Sequence, residues 1–127
     1  MKSYKDLNIY ESAHRLAIVV HGLSMGLPKF ELYEEGSQIR RSAKAVSIAI
    51  VEGYGRKRYK ADFIRFLVYA QAECDETMEH LDFLFETRSF VDKEKYALLK
   101  NEYIKLSKQI NRFIVWVEGY WNNFSAT

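Results

Sequence analysis

The residues best suited to chemistry in this chain are its cations. Arg56, Lys57, Arg58 and Lys60 fall within five positions, interrupted only by Tyr59, and Arg40, Arg41 and Lys44 precede them. Guanidinium and ammonium groups at this density suit phosphates, and an interleaved aromatic ring offers a face on which a base can stack. Between Arg40 and Arg65 eight basic residues stand against two acidic ones; between Glu73 and Glu94 eight acidic residues stand against two basic ones. The overall net charge of +2 hides this division. Such asymmetry implies electrostatic pairing, either within an assembly or with an anionic ligand.

Other chemistries find little to work with. Glu11-Ser12-Ala13-His14 has the Glu-x-x-His spacing of a di-iron helical bundle. Such a centre needs the pattern twice and a carboxylate from each remaining helix, and no second copy occurs. Neither a metal nor a cofactor is expected. Cys74 is the lone cysteine, so an internal disulfide is ruled out. On a helix's core stripe it reads as a small hydrophobe rather than a nucleophile. Glu76 and Glu79 read as a solvated or salt-bridged face. No catalytic constellation results, and the expectation is a protein that is not an enzyme.

Helices must carry these groups. With 127 residues, 48% hydrophobic and 28% charged, the composition is that of one globular domain, expected over 1–127. One proline and six glycines leave little material for turns. Apolar residues recur at alternating intervals of three and four, the seam of packed helices. The first seam reads Ile9, Ala13, Leu16, Val20, Leu23, with Gly26 and Pro28 beyond it. The second reads Ile39, Ala43, Val46, Ile50, with Gly53 and Gly55 as its stop and left-handed cap. The third is Phe63, Leu67, Ala70, Cys74, Thr77, Leu81, Leu84. The fourth is Tyr96, Leu99, Tyr103, Leu106, Ile110, Phe113, Val117, Tyr120, with Asp92 as N-cap. Short connections force antiparallel neighbours, so the expected fold is all-α, an up-down-up-down four-helix bundle. No run approaches the ~20 apolar residues of a membrane span, and the opening residues carry no apolar segment of the signal-peptide kind. A cytoplasmic protein is expected.

Apolar surface is left over. Ile64, Phe66, Val68 and Tyr69 occupy faces the third seam does not use, as do Val115, Trp116 and Trp121 near the end of the fourth. Either the core is wide or these residues form a subunit interface, and the interface, giving a homo-oligomer, is the favoured account. Arg40 and Arg41 also have two accounts. Folding the second and third helices together brings them level with Glu73, Asp75 and Glu76 for structural pairing; a neighbouring subunit's Asp75, Glu79, Asp82 and Glu86 would serve equally. The turn from Arg56 to Lys60 has no acidic run nearby. The topology gathers it with Lys2 and Lys5, and with Tyr4, Tyr54, Tyr59, Trp116, Tyr120 and Trp121. Helix capping competes with nucleic-acid binding there, but four cations exceed what a cap needs.

At these residues the sequence resembles a known family. The marks are Lys5-Asp6-Leu7, Pro28 before Glu31, Gln38-Ile39-Arg40-Arg41, Val51-Glu52-Gly53-Tyr54-Gly55-Arg56 and Asp62-Phe63-Ile64-Arg65-Phe66-Leu67. They are similar to those of the bacterial four-helix-bundle proteins encoded by intervening sequences in 23S rRNA genes, and of the accessory variability proteins of diversity-generating retroelements. The resemblance implies a ring, usually a pentamer, without enzymatic activity. It also implies a basic surface that contacts RNA or DNA and, in the retroelement relatives, a partner reverse transcriptase. Arg40, Arg41, Lys44, Arg56 and Arg58 match that surface. An acidic protein or a neighbouring subunit docking on the same patch is the alternative. Where the family often has Ser-x-Pro-x-Asn-Ile, this chain has Ala45, Ser47, Ala49 and Ile50, so a straighter second helix is expected.

Overall fold

The computed structural model describes residues 2–122, so the ends of the domain expected over 1–127 lie outside the described residues. Within them a 3-10 turn at Tyr4–Asp6 precedes five helices: α1 Asn8–Ser24, α2 Lys29–Leu32, α3 Glu35–Gly55, α4 Lys60–Glu86 and α5 Lys93–Tyr120. α2 is a single turn inside the first connection. The four long helices pack as the expected antiparallel four-helix bundle. Contacts run α1 to α3, α3 to α4 and α4 to α5, and a sparser contact between α1 and α5 closes the circuit.

The seams predicted from spacing form the core. The buried residues of α4 are Phe63, Leu67, Ala70, Cys74, Thr77, Leu81 and Leu84, the whole expected set. In α3 Ile39, Ala43, Val46 and Ile50 are fully buried, joined by Ser42, Ser47 and Ala49. In α1 the seam holds except that Leu23 is only half-buried, while Ala17 and Ser24 enter the core. Each large apolar side chain so buried contributes about 1.5–3 kcal/mol. Asp92 caps α5, its Oδ1 accepting the Lys95 amide at 3.0 Å.

The last turns of α5 depart from the expected stripe. Ile114 takes the inward position, Phe113 is half-buried and Tyr120 is 78% exposed. A straight helix turns every 3.6 residues, so a strict three-four alternation drifts ~20° per heptad. Late in this 28-residue helix the drift brings Ile114 inward in place of Phe113, while Val117 keeps its expected buried place.

The glycines of α3 also differ from expectation. Gly53 and Gly55 lie inside the helix, and no glycine among the described residues has positive φ. Gly53 is instead a point of close approach. A Cβ there would sit 3.1 Å from Phe66 Cβ and 3.3 Å from the Phe63 carbonyl oxygen of α4. The left-handed turn occurs after α4, at Arg88 with φ 65°. Beside it the Phe90 amide reaches back to the Leu84 carbonyl at 2.9 Å, a wrap that glycine makes with less strain. α3 runs unbroken through Ala45, Ser47 and Ala49. The buried polar contact on this part of α3 is with α4: Thr77 Oγ1 lies 2.8 Å from Ser42 Oγ.

Candidate nucleic-acid interface

The basic positions divide once folded. Arg40 turns inward. Its guanidinium donates to Ser24 Oγ at 3.0 Å and to the Leu32 carbonyl at 2.8 Å, tying α3 to the ends of α1 and α2. Gly36 leaves room for it, since a Cβ there would be 3.3 Å from Arg40 Nη1 and 2.8 Å from the Glu31 carbonyl oxygen. Buried Glu31 works at the same end, accepting the Glu35 amide at 3.3 Å and the Ser89 hydroxyl. Arg40, placed on the binding surface by its sequence position, is therefore part of the scaffold.

Arg41 finds the intramolecular partners expected of it. It contacts Glu76 at 2.6 Å and Glu73 at 3.5 Å, both on α4. The Glu76 hydrogen bond holds the Arg41 guanidinium above its ordinary pKa. Hydrogen bonds from Glu73 and then Arg41 hold the Glu76 carboxyl below the usual range, while burial lifts that of Glu73. Elsewhere on the acidic helix, His80 Nδ1 lies 2.7 Å from Glu35, and Asp82 receives Lys100 at 2.6 Å and the Tyr96 hydroxyl at 2.7 Å. Much of the acidic face of α4 is thus engaged inside the chain. Lys44 is exposed beside an open groove of about 510 Å³ lined by Ile48, Phe66 and Tyr69.

The turn between α3 and α4 lies at the end expected for it, against the last turns of α5. Lys60 Nζ donates to the Glu118 carbonyl at 2.6 Å, and the Trp121 indole N–H donates to the Lys57 carbonyl at 2.9 Å. Lys57 Nζ sits 3.9 Å from the centroid of the Tyr54 ring, and the Arg56 guanidinium 4.9 Å from that of Phe66. Arg56 also stands 4.0 Å from Asp62. Arg58 and Tyr59 point outward, Tyr59 with 62% of its surface exposed.

The apolar residues assigned to an interface divide as well. Val68, Tyr69 and Trp116 are exposed, at 47%, 48% and 43%. Phe66 is half-buried beneath Arg56 and edge-on to Tyr69. Ile64 and Trp121 pack against the core, Trp121 edge-on to Phe63 at 5.2 Å. Those two are core rim: Ile64 widens the seam at the first turn of α4, and Trp121, ending α5, folds onto Phe63 of that same turn. Cys74 is fully buried, and burial pushes its thiol up to about 12, out of nucleophilic range. Near the expected half-motif, His14 Nδ1 lies 3.3 Å from the Tyr10 hydroxyl. Among the described residues no group of three His, Cys, Asp or Glu side chains could hold a metal, and no helix is long and apolar enough to cross a membrane.

One basic group escaped the sequence reading. Lys105, Lys108 and Arg112 are exposed on α5. Their spacing of three and four, out of phase with the Tyr103, Leu106, Ile110 seam, was the available signal.

Fold and site together define a helical bundle whose concentrated charge lies on its outside rather than within its core. The chain belongs to the 23S rRNA-intervening sequence protein family, whose profile matches residues 5–112. A solved crystal structure from Bacteroides thetaiotaomicron, described as a protein with unknown function from the S23 ribosomal protein family, is similar. It is 25% identical, with a TM-score of 0.73 over 84% of this chain and 95% of that one. Among curated proteins none matches.

Proposed function

We propose that this protein binds nucleic acid at the basic end of its bundle. The observation that carries the reading is the outward pair Arg58 and Tyr59, beside cations laid on aromatic rings and at the end that also holds Lys2 and Lys5. Phosphates and bases ask for these two kinds of group together. Arg40 and Arg41 contribute through the scaffold, the first holding α3 to the ends of α1 and α2 and the second holding it to α4. The apolar groove between α3 and α4, with Ile48 54% exposed beside Tyr69, supports the second part of the reading, self-association into the ring the resemblance implies. The competing account makes the basic end a dock for an acidic protein, such as a reverse transcriptase, or for a neighbouring subunit.

One experiment separates these. Wild type and an Arg58→Glu, Lys5→Glu variant are compared for retention of labelled RNA and single-stranded DNA at low salt, with molar mass in solution measured alongside. Both positions are exposed and neither makes an ion pair. Retention by the wild type should fall steeply with salt, and the variant should lose it at unchanged mass. A wild type that retains neither polymer at low salt defeats the reading. A variant that changes mass but still binds supports the docking account.

A further inference from the structure

We propose that the outer face of α5 is a track for a single-stranded polynucleotide, continuous with the basic end; this rests on the nucleic-acid reading above and says which polymer is taken and along which path. Lys105, Lys108, Arg112 and Trp116 follow one another at intervals of three, four and four. On a helix this is a single stripe, and it points away from the seam of Tyr103, Leu106, Ile110 and Val117.

Three features set this stripe apart from an ordinary solvated face. First, it carries no acid. Glu102, three residues before it, is turned to Arg15 of α1 at 3.2 Å, and Asp6, which shares a groove with Arg112, accepts the Lys2 and Ser3 amides. Second, among the described residues Lys105, Lys108 and Arg112 make no hydrogen bond, ion pair or ring contact. Like charges three and four apart repel on a helix, and a polyanion lying along them would relieve that repulsion.

Third, the stripe ends on an aromatic ladder. Trp116 stacks on Phe113 at 5.8 Å and 19°, and on Tyr120 at 6.2 Å and 29°. Trp116 and Tyr120 are 43% and 78% exposed. Rings held rigid by their neighbours yet open to water are pre-organised platforms for a base. Trp121 joins the ladder to the turn, edge-on to Trp116 at 5.9 Å and bonded to the Lys57 carbonyl.

The choice of single strand follows from the rings. A base can lie on Trp116 or Tyr120 only where it is not already stacked between paired neighbours, whereas a duplex would use the cations alone. From Lys105 to Tyr120 the helix rises about 22 Å, a span for a short single-stranded segment.

The test titrates the whole chain with oligouridine and oligothymidine of increasing length, and with a duplex of equal length, reading Trp fluorescence and anisotropy at low salt. Expected results are quenching by both single strands, affinity levelling off once the strand is long enough to span the stripe, and weaker binding of the duplex. The uridine and thymidine arms report whether the sugar is distinguished. Changing Lys105, Lys108 and Arg112 together to Gln should weaken binding at least tenfold and lower the salt slope by about two. Trp116→Ala should weaken it roughly tenfold; Trp116→Phe should keep most of the affinity and lose most of the quenching. All four positions are exposed, so unchanged melting curves are expected.

If the triple Gln variant binds like wild type while Arg58→Glu, Lys5→Glu does not, this inference fails and the broader reading stands. Duplex binding as tight as single-strand binding, without quenching, also overturns it. A wild type that binds no polymer overturns both.

Discussion

α3 and α5 each carry three cations within one or two turns, and the two sets have opposite fates. On α3, Arg40 is bonded to Ser24 and Leu32 and Arg41 to Glu73 and Glu76, leaving Lys44 outside. On α5, Lys105, Lys108 and Arg112 make no hydrogen bond or ion pair among the described residues. The difference lies in what stands alongside. α3 packs against α4, whose carboxylates come within reach at the register set by the turn at 56–59, and against the carbonyls that close α1 and α2. The α5 stripe points away from the seam, and even where Arg112 borders the start of α1 it makes no ion pair. Density of charge along a chain therefore does not measure its availability to a ligand; the neighbouring helix does.

Arg40→Ala probes the contrast with the largest effect. Losing two charge-assisted hydrogen bonds and leaving their acceptors unpaired should cost about 2 kcal/mol, lowering Tm by roughly 8 °C. Nucleic-acid affinity per folded molecule should stay unchanged. A variant that melts normally but binds poorly would break the contrast, because Arg40 would then belong with the α5 set.

Arg41→Ala should matter less, about 0.5 kcal/mol at neutral pH, since its pairs with Glu73 and Glu76 are half exposed. Its pH dependence sharpens the point. The Glu76 carboxyl is held below its ordinary 4.5, so its contribution is present above that value and is lost as pH falls through the lowered one. Glu73, raised above its ordinary 4.5, works oppositely, its contribution being lost as pH rises through the raised value. The stability difference between wild type and Arg41→Ala should accordingly shrink as thermal melts are taken down in pH through the lowered Glu76 value. A difference that persists there would mean that packing of the Arg41 stem, not charge, is the source.

Lys108→Glu should produce the smallest change in stability and of the opposite sign. It replaces two like-charge neighbours by opposite ones at spacings of three and four, a gain of about 0.2–0.5 kcal/mol seen as a slightly raised denaturant midpoint. Stabilisation combined with weaker polynucleotide binding would mark the stripe as kept for its ligand.

Much of the fold was legible in the sequence. The third seam, Phe63 to Leu84, is the buried set of α4 without exception, because burial on a helix obeys a period that residue types display directly. The fourth seam slipped by one position near Ile114, where 3.6 and 3.5 residues per turn diverge over a long helix. Gly53 carried a signal that admits two physical meanings, a helix stop or a close approach, and only the presence of Phe63 and Phe66 opposite it selects the second. The candidate site was less legible. Trp121 and Ile64 look like surplus apolar surface in a heptad diagram, and their partners lie on elements far away in sequence.

By itself, then, the sequence determined that this protein is four amphipathic helices in alternating direction, because the period of its apolar residues and the shortness of its turns admit little else. It also determined that the chain is rich in localised charge. Which charges are consumed was decided by the tertiary structure alone. Arg40 and Arg41 are adjacent in the chain, yet one turns to the carbonyls of the first connection and the other to an acidic helix more than thirty residues away. That sorting depends on which groups packing brings within about 3 Å of each guanidinium, a property of the assembled helices that no local pattern encodes.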